Sequence, residues 1–338
     1  MDKNRKYFYL DLLRLFAILC VIMLHIIMPF WEITQLFGTR IWHITNVVNT
    51  VSRTGVPLFF MVSGFLLLDN PKTLEFVHFY KRRMSKIVVP FFVWNVIYYC
   101  VYGAVYKTDL SIGGFLKEML IEGTSYHFWF VYTLVMIYLF MPFLKRMLDG
   151  LSVRWCFVLL GISIFKTTIV PIINITTPLE IYLFDNVLNG YIGYVMLGYI
   201  LGKFEFKRVH NVLFAIIALL GACITLWGNV VMSEGATNSI FNGGLQIGHF
   251  MLASGIFVLF KNVKKPSERM AKIVGTMSGI TFGMYLVHPM VISGVSYYFS
   301  GELRPYIYIS VIFVLTVIIS ALFSYLVSKI KYINKILL

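Results

Sequence analysis

The stretch "YLDLLRLFAILCVIMLHIIMPF", residues 9–30, is long and apolar enough for a transmembrane helix, yet it carries Asp11, Arg14 and His25. Each residue of an α-helix turns about 100°, so with Asp11 at zero Arg14 falls at about 300° and His25 at about 320°. The three ionisable groups thus share an arc of about 60°. An Arg at mid-membrane costs at least about 2.5–3.5 kcal/mol, so this face should turn away from lipid. Asp11 lies one turn from Arg14 and can neutralise it. Arg14 and His25 are about 16 Å apart along the axis. Two readings stay open for this helix alone. Either the polar face lines a site for chemistry, or Asp11 and Arg14 snorkel at the interface while His25 hydrogen-bonds a carbonyl.

The remaining chain resembles this stretch in its oiliness. Of 338 residues, 59% are hydrophobic and 13% charged, and the mean hydropathy is +0.81. Soluble domains carry roughly a quarter charged residues. Ten apolar runs stand out, at 9–29, 41–69, 87–106, 128–148, 155–173, 187–202, 211–229, 245–260, 275–298 and 305–328. The predicted fold is all-α: a polytopic membrane bundle of about ten transmembrane helices, a single integral-membrane domain over residues 1–338. With the N-terminus inside, 22 Lys and Arg fall in cytoplasmic segments and 5 in outer ones. Cationic loops resist translocation, so both termini are expected in the cytoplasm. This distribution accounts for the net charge of +14 without nucleic acid. The basic start "MDKNRK" before an apolar run lacking a small-residue cleavage site reads as an uncleaved signal anchor. The four cysteines lie in apolar runs without a CxxC pair and read as packing residues. The chain has no HExxH, metal-ligand spacing, Walker loop or GxSxG.

Further polar positions interrupt the oil. "SRTGVPLFFMVSGFLLL" places Arg53 inside the second run, followed by Pro57, which is expected to bend or break the helix. Ser63 and Gly64 allow close helix approach there, with binding as the rival role for Ser63. In "FYKRRMSKIVVPFFVW", Arg82, Arg83 and Lys86 form a helical cationic face that suits phosphates, although positive-inside topology alone explains such a loop. His127, Trp129 and Tyr132 in "EGTSYHFWFVYTL" suit a sugar face or an ordinary aromatic belt. His288 precedes Pro289 in "GMYLVHPMVI", where a kink is expected, and can serve as a proton relay or an orienting partner for His25.

Taken in order, "YLDLLRLFAILCVIMLH", "RTGVPLFFMVSGFLL", "FYKRRMSKIVVPFFVW", "HFWFVYTLVMIYLFMP", "GYIGYVMLGYILG" and "GMYLVHP" resemble the membrane acyltransferase 3 family, which includes bacterial O-acetyltransferases of surface polysaccharides, peptidoglycan and antibiotics. The resemblance implies an acyl donor, typically acetyl-CoA as co-substrate with no tightly bound cofactor, reached from the cytoplasm. It also implies a glycan hydroxyl acceptor on the other face and a bacterial cytoplasmic membrane. It marks Arg14 and His25 as essential, with Arg53 in the following motif. The family's RxxR pair falls on Arg83 and Lys86, where Lys keeps the charge but loses the bidentate fork.

A glycan hydroxyl needs a base to attack a thioester, and a neutral imidazole suits that task. His25 is expected as base or transient acyl carrier, Asp11 as the partner of Arg14, and His288 as an assistant. The donor arm is expected to follow the polar stripe from Arg14 to His25. A homodimer is compatible with the sequence. The rival function is a multi-pass transporter or flippase for a glycan-lipid or anionic substrate, which buried Arg and His and broken helices also suit.

Overall fold

The computed structural model describes residues 5–107, 110–121, 123–179, 181, 190–233, 240–264, 266–299 and 304–338. The first four residues of the basic start, Lys265 in a basic loop and the beginning of the sixth run, 187–189, lie outside these. The described residues form α1 (Arg5–Glu32), α2 (Arg40–Ser52), α3 (Gly55–Leu68), α4 (Phe76–Arg83), α5 (Ser85–Tyr106), α6 (Ile112–Ile121), α7 (Trp129–Asp149), α8 (Val153–Ile164), α9 (Val170–Thr176), α10 (Ile192–Lys203), α11 (His210–Val231), α12 (Ile247–Lys261), α13 (Glu268–Gly279), α14 (Thr281–Phe299), α15 (Pro305–Lys329) and α16 (Ile333–Leu337), with no strand among them.

Each of the ten apolar runs contains a helix, but among the described residues seven helical segments are long and apolar enough to cross a bilayer, or eight with α13 and α14 taken as one span bent by 57°. The two shortfalls are α10, of 12 residues, and α12, of 15. At 1.5 Å per residue α10 is about 18 Å long, against about 30 Å of hydrocarbon. Every residue of α10 from Gly193 to Gly202 is buried, so protein rather than lipid surrounds it.

The centre of the bundle is the contact of α3 with α10. A methyl group on Gly64 would lie 2.0 Å from the Val195 carbonyl oxygen, and one on Gly198 would lie 2.1 Å from that of Met61. Backbones this close pack by dispersion, which drives helix association where lipid is as apolar as protein. Lys145 of α7 is buried and donates to the Leu68 carbonyl at the end of α3 at 2.9 Å, while pairing with Asp149 at 2.9 Å.

Of two expected helix breaks, one forms and one falls elsewhere. The second run is interrupted at Arg53–Thr54, four residues before Pro57, whose missing N–H cannot bond the Arg53 carbonyl and which sits in the first turn of α3. His288 and Pro289 lie inside a continuous α14; the bend falls between α13 and α14, at Ile280.

Candidate active site

The charged face of α1 packs against the bent α13–α14 pair, and each half of that pair receives one of its polar groups. At the N-terminal end, Asp11 accepts a hydrogen bond from Ser278 at 2.7 Å and pairs with Arg14 at 3.4 Å. At the C-terminal end, the rings of His25 and His288 lie 5.2 Å apart. The cavity at the second end stops short of the first. A cavity of about 480 Å³ surrounds His25, but its lining on α1 begins at Val21 and includes neither Asp11 nor Arg14. Ile18, Val21 and Ile22 are buried between them. The expected continuous stripe from Arg14 to His25 is therefore closed by apolar packing.

Three segments besides α1 build the cavity. The α2–α3 junction contributes Arg53 and Val56, the turn at Tyr126–Phe128 and the start of α7 contribute Tyr126, His127, Trp129 and Phe130, and α14 contributes Tyr285. The junction is held close to α1 because Gly55 has no side chain: a methyl group there would stand 2.7 Å from the Ala17 carbonyl oxygen. Arg53 is fixed by its Nε donating to Asn49 Oδ1 at 3.1 Å and by the Trp31 ring, 5.8 Å from its guanidinium carbon. Trp31 is held in turn by its indole N–H to Asn46 at 3.2 Å, and Asn229 of α11 donates to the same oxygen at 2.8 Å.

The histidines form a cluster of three. His127 and His288 have ring centroids 5.5 Å apart, and Tyr126 packs edge-on against His25 at 5.0 Å. Pro289 has no N–H, which leaves the Tyr285 carbonyl four residues earlier without a helical donor. The His288 Nδ1 stands 2.6 Å from that carbonyl. A carbonyl only accepts, so Nδ1 carries the proton and, in the neutral ring, Nε2 keeps its lone pair. That Nε2 is buried without a hydrogen-bond partner among the described residues, as is His127 Nε2. His127 is held by Ser125 Oγ, 2.9 Å from its Nδ1, and its carbonyl accepts from the Tyr285 hydroxyl.

Of the residues singled out by sequence, His25, His288, His127, Arg53 and Trp129 converge here. Others do not. Tyr132 lies outside the cavity lining: its hydroxyl bonds the Met119 carbonyl and its ring packs on Phe91 at 4.8 Å. Ser63 also lies outside, 3.4 Å from the Tyr138 hydroxyl, joining α3 to α7. Arg82 and Lys86 are exposed and Arg83 half-buried at the α4–α5 junction, where helical angles at Met84 preserve their shared face. Sequence reasoning missed the inward polar face of α2. Asn46, Asn49 and Arg53 recur at helical spacing, and Thr45, Asn46, Asn49 and Thr50 are buried. It also missed Glu32, a carboxylate on the cavity wall. Among the described residues no group of three or more His, Cys, Asp or Glu is arranged to hold a metal ion.

A family model described as an acyltransferase domain, Acyl_transf_3, matches residues 7–325. The chain belongs to this acyltransferase family. Apolar helices throughout the match make it a multi-pass membrane member. Two Enterococcus faecalis proteins named amino-acid racemase are similar to part of it, at 29% identity over 137 residues and 28% over 127. These stretches cover 39% and 36% of the Acyl_transf_3 chain but 17% of each relative, so the chain spans far less than the length of the relatives it matches. No solved structure matches.

Proposed function

We propose that this member of the family moves an acyl group, acetyl from acetyl-CoA, to the hydroxyl of a cell-surface or lipid-linked glycan across a bacterial cytoplasmic membrane. The observation that carries the reading is the convergence of two imidazoles, His25 and His127, and the Arg53 guanidinium on a cavity inside a membrane bundle, with the His288 ring packed against both imidazoles. Intramembrane ionisable groups are costly and are retained where they bind or react.

In the proposed reaction the acceptor oxygen attacks the thioester carbonyl, the C–O bond forms and the C–S bond breaks. His25 faces the cavity and takes the hydroxyl proton, which then passes to the departing thiolate of CoA. His288 acts as a positioning residue: its Nε2 lone pair can accept an N–H from His25 and aim the other His25 nitrogen at the acceptor. Arg53 stabilises the oxyanion. Trp129 and Tyr126 offer ring faces to the sugar, and Glu32 offers acceptors to its hydroxyls. Arg14, held by Asp11 away from the cavity, and the Arg82, Arg83 and Lys86 group are assigned to the donor phosphates.

The test uses protein in vesicles with labelled acetyl-CoA and a polysaccharide acceptor. His25→Ala should lower acyl incorporation by about 10²–10⁴-fold while leaving the protein in the membrane. Normal product from that variant would reject the base, and acceptor movement without acylation would replace the enzyme with a transporter.

A further inference from the structure

The cavity beside His25 is graded along α1. Its lining on that helix recurs at Val21, His25, Met28 and Glu32, one stripe about 16 Å long. Val21 is buried, His25 and Met28 are half-buried, and Pro29 and Glu32 are exposed, so the cavity opens at the end of α1. The facing wall repeats the gradient. His127 and Phe130 are buried there, whereas Tyr126 and Trp129 are exposed. The rim thus holds one carboxylate and two aromatic rings.

Two permanent charges of opposite sign, Glu32 and Arg53, line this cavity, and among the described residues no ion pair joins them. Arg53 lies deeper. Its Nη2 is 3.6 Å from the sulfur of Met28, one turn below Glu32, and its Nε is taken by Asn49. Glu32 stands seven residues beyond His25, so its Cα is about 10 Å further along α1 and only about 20° round it. A molecule whose hydroxyl reaches His25 therefore passes Arg53 and ends beside Glu32. The guanidinium turns a cation away from the reacting end, and the carboxylate holds one at the rim. An ammonium there also meets the rings of Tyr126 and Trp129, whose faces attract cations. A neutral sugar would use the rings and leave the charge of the carboxylate without a role, and a uronate would be repelled by it.

We propose that Glu32, Tyr126 and Trp129 form a cation-selective rim, and that the acceptor carries a protonated amine besides the hydroxyl that is acylated, as an amino sugar with a free amine does. The inference rests on the acyl-transfer reading above and narrows its glycan acceptor. The ammonium stays at the rim, where its proton leaves nitrogen no lone pair to attack the thioester. The hydroxyl at the other end gives its proton to His25, the new C–O bond makes an ester, and CoA leaves as the thiol with that proton. The opposed charges of Arg53 and Glu32 set which end of the acceptor enters first.

The experiment gives the whole chain, in detergent micelles with labelled acetyl-CoA, either of two acceptors. One is a glucosamine oligomer with free amines and the other its fully N-acetylated, neutral counterpart. The free-amine oligomer should be preferred about tenfold in kcat/KM, through KM, and the preference should weaken with added salt. Glu32→Gln keeps the shape and should cut the preference to within about twofold by raising KM for the amine-bearing acceptor. Glu32→Lys should reverse it. Glu118→Gln, which removes an exposed carboxylate of α6 away from the cavity, should leave it in place. The transferred label should come off in mild base, as an ester does. Equal use of the two acceptors, a preference that survives Glu32→Gln, or a base-stable amide overturns the rim. Binding of the labelled free-amine oligomer supplies a readout without turnover. Binding that Glu32→Gln weakens about tenfold, with neither oligomer acylated, supports the rim and rejects the reaction. No binding, or binding indifferent to Glu32→Gln, overturns the rim whether or not acylation occurs.

Discussion

Pro289 removes the N–H that would bond the Tyr285 carbonyl, and the His288 ring fills the gap at 2.6 Å. One backbone deletion thereby selects the tautomer of a buried side chain. The consequence is testable by nitrogen spectroscopy on histidine-labelled protein, which distinguishes the two neutral tautomers. His288 in the unaltered chain should carry its proton on Nδ1. In Pro289→Ala the restored N–H competes for the carbonyl, so the ring should show both tautomers, and kcat should fall about tenfold with KM for the donor unchanged. A purely structural proline would lower folded yield without moving the tautomer ratio, and a native ring protonated on Nε2 would remove the orienting role. A second residue-scale expectation concerns Arg53. Its Nε bond to Asn49 and its place over Trp31 both use the planar guanidinium. Arg53→Lys keeps the charge but loses that geometry, so acyl transfer should drop by more than about tenfold in kcat while the protein remains folded.

Close backbone contact governs the elements. The α3–α10 pair has its glycines opposite carbonyl oxygens, at 2.0 Å and 2.1 Å from where a methyl group would sit, so relief requires a whole helix to shift. Gly198→Val should cost about 3 kcal/mol, read as a lower melting midpoint in detergent, whereas Gly161→Ala, with nothing within 4 Å, should leave it within error. Sequence reading reached the helical class because apolar run length is a local property, and it offered His288 as a partner of His25; the helical angle that grouped Asp11, Arg14 and His25 says nothing of contacts between helices. Sequence reading also reached the break in the second run, since Pro57 withholds the N–H that the Arg53 carbonyl would need, but not the bend at Ile280, which no proline marks. Tyr132 was legible as an aromatic near the outer surface, yet its direction depends on α6, which no local pattern positions. The closure of the face between Arg14 and His25 was likewise hidden, since an ionisable residue every few turns does not say what fills the turns between.

At the scale of the whole molecule, the 22-to-5 division of basic residues argues for an orientation and a crossing number that helix length alone leaves at seven or eight. The short α10 and α12 decide between them. α10 is buried along its length, so its ends need not reach lipid headgroups, and a protein-lined crossing of about 18 Å suffices where neighbours satisfy the terminal backbone groups. If α10 and α12 both cross, the loop at Lys207 and the loop at Lys264 lie on the same side as the α4–α5 junction, and Lys107 lies opposite. Single cysteines at these three positions, in a chain with Cys100 and Cys223 changed to Ser, should then divide cleanly toward an impermeant maleimide. In sealed right-side-out vesicles only Lys107→Cys should react, and in inverted vesicles only Lys207→Cys and Lys264→Cys. Reaction of Lys207→Cys together with Lys107→Cys would mean that α10 turns back before crossing. The donor loop and the later basic loops would then face opposite solutions, and a donor entering beside Arg83 and Lys86 could not share its side of the membrane with the charges grouped at Lys203, Lys207 and Arg208.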